Sequence, residues 1–185
     1  MHKLAVSLSL ALLGCGGTVN SEADARDAYL GIDPSIDRAI SLGFAGFNSA
    51  SSANITPQTA SGAKTGTLTV SGQVDQGASA NKGMRLQVAL VNYSDDGRIT
   101  YATRAAALPA LGMQLKNIPA GTLSGTLAGT VDMTGAQTGP LTFDLTITGA
   151  LQAGAANQVE RKPGSTRIQG TATSPSGTYA VDVTR

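Results

Sequence analysis

From Thr65 onward the chain falls into segments that alternate between apolar and polar side chains. Successive side chains of a β-strand point to opposite faces, so this period of two is what half-buried strands require. Leu68, Val70 and Val74 alternate with Thr67, Thr69, Ser71 and Gln73. Met84, Leu86, Val88 and Leu90 alternate with Arg85, Gln87 and Ala89, and Ile99 and Tyr101 follow the turn-forming Asp95-Asp96-Gly97. Met113 with Leu115, Leu123 through Met133, Leu141 through Ile147, Ile168 with Ala172, and Tyr179 through Val183 continue the pattern. About eight antiparallel strands with short connections are predicted, with one apolar face and one Thr-rich, wet face. They form a small barrel or a β-sandwich; the long, hairpin-connected segments around Leu123 to Leu151 favour a barrel or strongly coiled sheet.

A membrane-spanning barrel fits poorly, because such barrels carry aromatic girdles at both interfaces. This chain has four Tyr, three Phe and no Trp. The apolar face therefore points inward.

Before the strands, Asp33-Pro34 looks like a helix start: Asp at the N-cap and Pro in the first turn. Ile36, Ile40, Phe44 and Phe47 recur near helical spacing and predict an amphipathic helix packed on the sheet. Gly43 and Gly46 weaken it, so it depends on packing. The Ser/Ala/Thr-rich stretch from Asn48 to Lys64 reads as a linker, which makes 33–64 a helix-plus-linker unit and 65–185 the β domain.

Glycines fall in phase with the apolar face: Gly72, Gly125, Gly129, Gly149 and Gly170. A strand glycine gives up packing, so it marks a bend or a close approach. Three uses are open: coiling of the sheet, room for the helix, or a ligand cavity of lipocalin-like shape.

The N-terminus supplies the clearest motif. His2 and Lys3 precede an apolar run from Leu4 that closes in Leu12-Leu13-Gly14-Cys15. A short cationic start, an apolar stretch and a small residue before a cut is the form of an export signal. The run is too short for the ~20 residues that span a bilayer. Leu12, Leu13 and Gly14 before Cys15 resemble a lipobox, the lipidation and cleavage site of bacterial lipoproteins. The resemblance covers the first 15 residues. It implies that residues 1–14 are a signal peptide, that Cys15 becomes the acylated first residue, and that 15–32, a small-residue and charged stretch that can turn helical near Glu22, tether the domain to a membrane of the cell envelope. Gly16, where an Asp would favour inner-membrane retention, implies the outer membrane in a diderm organism. Beyond the motif, the mature domain resembles uncharacterised exported β-rich lipoproteins, to which no activity attaches.

Residue inventory narrows the chemistry. His2 and Cys15 are the only histidine and cysteine. With one lost and the other acylated, Ser-His-Asp and Cys-His catalysis and His/Cys zinc sites are excluded. Glu22 and Glu160 are the only glutamates. Asp95 and Asp96 read as a hairpin turn, Glu160-Arg161-Lys162 as a solvated loop, and Asp132, Asp144 and Asp182 as members of the wet face. No cofactor, metal or catalytic residue is expected. Lys+Arg and Asp+Glu nearly balance, at 13 and 12, so no basic field recommends nucleic acid as a partner. The expectation is a lipid-anchored envelope protein without catalysis, structural or protein-binding, with a binding module for a small apolar ligand or lipid as the alternative.

Overall fold

The computed structural model describes residues 16–75, 77–155 and 158–185. Two helices, α1 (Glu22–Ile32) and α2 (Pro34–Ser49), precede ten strands: β1 (Asn54–Ser61), β2 (Thr65–Val74), β3 (Lys82–Ser94), β4 (Ile99–Ala102), β5 (Ala110–Lys116), β6 (Thr122–Gly135), β7 (Gly139–Ala153), β8 (Val159–Arg161), β9 (Arg167–Ser174) and β10 (Gly177–Thr184). All pair antiparallel in the order β1-β2-β3-β4-β6-β7-β9-β10. β4 and β5 both lie between β3 and β6, β5 along the start of β3 and β4 near its end. The sheet curls into a partial ring rather than splitting into two stacked layers.

Two strands exceed the eight expected. β1 lies inside the presumed linker; it is an edge strand that buries only Ile55 at the core and has a register break at Pro57, so its alternation is nearly invisible. Proline is tolerated there because an edge strand needs no donor on its open side. β8 is three residues long and pairs only with the end of β7.

The inward side chains interlock as expected, with Leu68, Val70, Met84, Leu86, Leu111, Leu127, Leu141, Phe143 and Ile168 all in one buried cluster. Threonines on the outer face bond across strands: Thr59 with Thr69 at 2.8 Å, Thr130 with Thr142 at 2.8 Å and Thr173 with Thr178 at 3.0 Å.

The stretch read as a tether is a docked helix. Ser21 caps α1 by accepting from the Asp24 amide at 3.1 Å, and Ala25, Ala28, Tyr29, Gly31 and Ile32 are buried. α1 and α2 make one kinked rod. Asp33 stays helical (φ −51°, ψ −41°) and its N–H donates to the Tyr29 carbonyl at 2.9 Å, while Pro34 has no N–H with which to continue the ladder. The rod packs on both end strands of the ring, α1 against β10 and α2 against β1 and β2. Ile36 and Ile40 reach the core; Phe44 and Phe47 are half-buried.

Helix glycines, not strand glycines, let the rod approach. A side chain at Gly31 would strike the Tyr101 hydroxyl, one at Gly43 would meet Met84 Sδ at 3.1 Å, and one at Gly46 would meet Ile55 Cβ at 2.8 Å. Tyr101 also donates to the Ala28 carbonyl at 2.7 Å, which pins α1 to β4.

Candidate functional site

Three places can carry function: the interior, an ionic cluster at the helix kink, and the point where the chain leaves Gly16.

The interior is filled. Between rod and sheet the void amounts to ≈ 10 Å³, lined by Ile36, Ala39, Leu111, Leu127, Gly129 and Phe143 among others. That is about the room one water needs. Around it the five strand glycines face neighbouring strands or, at Gly129 and Gly149, the loop residues Pro109 and Thr166, not the helices. A Cβ at Gly72 would collide with the Arg85 carbonyl, at Gly125 with the Gly112 carbonyl, and at Gly170 with the Asp144 carbonyl. At Gly129 it would lie 2.6 Å from Pro109 Cα, and at Gly149 2.8 Å from Thr166 Oγ1. Gly72, Gly129 and Gly170 also hold positive φ values of 124°, 140° and 146°. The glycines therefore sit where backbone crosses close to backbone in a coiling sheet.

At the kink, the residues read as an N-cap and as a solvated loop meet. The Asp33 side chain caps nothing. It is 2 % exposed and accepts from Tyr29 Oη at 2.6 Å, from Arg161 Nη1 and Nη2 at 2.9 Å each, and from Arg185 Nε at 3.2 Å. Arg161 is only 9 % exposed; its Nε and Nη2 also donate to Asp37 at 2.6 and 2.7 Å. Burial acts to raise the Asp33 pKa, but the hydrogen bonds and charge of Arg161 prevail and hold it below the usual carboxylate value. Burial acts to lower that of Arg161, and its two carboxylate partners drive it up instead. Tyr29 is pushed well above its ordinary value by burial and by the Asp33 charge beside it. The cluster thus holds a permanent ion pair and a locked phenol. It ties the kink to β8 and the C-terminus across 128 and 152 residues of sequence. Sequence reasoning missed it. The available signal was Asp33 and Asp37, four apart on the helix that carries Ile36 and Ile40.

Four of the other acidic candidates are partnered. Asp95 accepts from Arg38 at 3.0 Å, from the Ala63 amide at 2.7 Å and from the Tyr93 hydroxyl, while Asp96 accepts from the Arg98 amide at 2.7 Å inside the predicted turn. Asp132 takes a two-pronged bond from Arg104 and Asp182 one from Arg167. Asp144 is exposed, and Glu22 lies in the first turn of α1. Among the described residues no group of three or more His, Cys, Asp or Glu is placed to hold a metal ion, and no helix is long and apolar enough to cross a membrane.

Leu12, Leu13, Gly14 and Cys15 lie outside the described residues. The chain immediately after them is docked on the sheet. Gly16 and Gly17 lie along the β6–β7 turn: the Gly16 carbonyl accepts from Thr138 Oγ1 at 3.1 Å and the Gly17 carbonyl from the Thr138 amide at 3.0 Å. The Val19 carbonyl accepts from Ser174 Oγ at 2.6 Å, and the Val19 side chain is fully buried.

Neither family models, nor the curated proteins, nor the solved structures yield a match to this chain.

Proposed function

We propose that this is a lipid-anchored protein of the bacterial cell envelope, held by acylated Cys15, with a non-catalytic structural or protein-binding role. The supporting observation is an export motif ending in Cys15 followed by a domain whose interior is occupied by its own helical rod. A carrier for an apolar ligand needs a cavity of about 300–1,000 Å³. The ≈ 10 Å³ between rod and sheet speaks against a carrier that encloses its ligand there; the ≈ 420 Å³ cleft beside Phe44, Phe47, Ile118 and Val159 is an open surface groove, also lined by Lys82 and Asn48. Gly16 in place of Asp favours the outer membrane of a diderm host. Cys15→Ala tests the anchor. One acyl chain gives only marginal attachment, at about 0.8 kcal/mol per buried CH₂, so firm anchoring needs the full lipid set. The substituted protein is expected in the soluble fraction after a salt wash; its retention with membranes refutes the reading.

A further inference from the structure

The expected tether does not exist as a spacer. Gly16, the residue that follows Cys15 in sequence, is already seated on the sheet. A side chain at Gly16 would collide with the Gly135 carbonyl. From there the chain runs down along Thr138, Ser176 and Ser174 into the buried Val19, with Thr18 Oγ1 3.3 Å from Ser176 Oγ. An acyl group on Cys15 would therefore leave from one fixed point on the body, beside the β6–β7 and β9–β10 turns.

The patch around that point is chemically plain, although the end of the sheet as a whole is not. Residues 16–20, 134–139 and 174–177 contain no charged side chain, and Gly17, Thr18, Ala136, Pro175 and Ser176 are exposed there. Charge gathers at its rim: exposed Asp96 and Arg98 lie in the β3–β4 turn, where the Arg98 carbonyl accepts from the Ala136 amide, and Glu22 and Asp24 lie in the first turn of α1, where the Asp24 carbonyl accepts from Gln137 Nε2. The far end carries Lys116 and Lys162, both exposed. β6, at 14 residues, separates the two ends by about 45 Å.

We propose that the face formed by Gly17, Thr18 and the β6–β7 and β9–β10 turns lies directly on the lipid surface, so that the ring of strands stands upright with its β5–β6 turn pointing away. This rests on the acylated-Cys15 reading above and adds an orientation to it. A small, uncharged face can meet the headgroup layer without stripping water from ionised groups. A long tether would let the domain tumble; the docking of Gly16 to Val19 removes that freedom.

The test uses the full chain, purified with its lipid and reconstituted in phosphatidylethanolamine/phosphatidylglycerol vesicles. An environment-sensitive fluorophore is placed on Ala136→Cys or on Lys162→Cys, both exposed positions. Iodide quenching at position 136 should fall severalfold on reconstitution and its emission should shift to the blue, while position 162 stays as in detergent-free solution. A flexible Gly/Ser insert of about ten residues between Cys15 and Gly16, with a root-mean-square reach of about 17 Å, should return position 136 to full quenching without loss of flotation. A chain that carries no lipid and does not float overturns the anchor and this proposal together. A chain that floats with positions 136 and 162 equally accessible overturns the orientation alone.

Discussion

Arg161→Met asks whether the kink cluster is a true buried ion pair. Methionine keeps most of the side-chain volume and removes five donors, four of whose bonds run to Asp33 and Asp37 carboxylate oxygens. Asp33 is left with Tyr29 Oη and the half-exposed Arg185. Removing one partner of a buried pair costs about 3–5 kcal/mol, because a charge remains in the interior uncompensated. With a urea m-value of about 2 kcal/mol per molar, the denaturation midpoint at pH 7 should fall by roughly 2 M. The pH dependence carries a second signature. In the native protein the folded-state pKa of Asp33 is depressed, so its contribution is fully present above the unfolded carboxylate pKa near 3.9 and is lost as pH falls through the folded value. Without Arg161, burial dominates and the folded pKa rises above the unfolded one. The variant then takes up a proton on folding, and its deficit relative to wild type should shrink as pH is lowered from 7 toward 4. A midpoint change worth less than about 1 kcal/mol, the range of a surface pair, with a deficit independent of pH, refutes the assignment.

Two glycine substitutions separate helix approach from sheet coiling. Gly46→Ala would gain about 1 kcal/mol in an exposed helix, but here the new methyl meets Ile55 at 2.8 Å, and thermal melting should show a net loss of about 1–3 kcal/mol. Gly129→Val should likewise cost about 1–3 kcal/mol despite valine's strand propensity, since φ is +140° and Pro109 stands in the way; a stabilised protein would mean that the valine had filled usable space.

Much of the sheet is legible in the sequence because burial on one face forces period-two alternation, and the strands from Leu68 to Val183 obey it. β1 is not legible: an edge strand over the helix rod buries one residue fully at the core, and its Ser, Thr and Gln read as linker. The helical reading of Ile36 to Phe47 follows from spacing; a turn to helix near Glu22 is legible too, but its docking is not, because the packing face is made of Ala25, Ala28 and Gly31, whose small side chains carry little hydropathy signal. Glu160-Arg161-Lys162 defeats composition altogether. A charged triplet beside Pro-Gly reads as solvated, and only the partner at Asp33, far away in sequence, makes burial of Arg161 affordable. The glycines show the same limit: phase locates them on a face, yet only three-dimensional proximity shows that Gly72 and Gly170 accommodate strand carbonyls while Gly31 and Gly46 accommodate the rod's neighbours.

Intact mass and lipid extraction on protein purified from its native membrane test the central claim most directly. The account predicts a chain that begins at Cys15, carries covalent acyl groups on that residue, and releases no stoichiometric lipid or other apolar molecule when the folded domain is extracted. An unacylated chain contradicts the anchor, and an apolar ligand recovered at one per protein contradicts the filled interior.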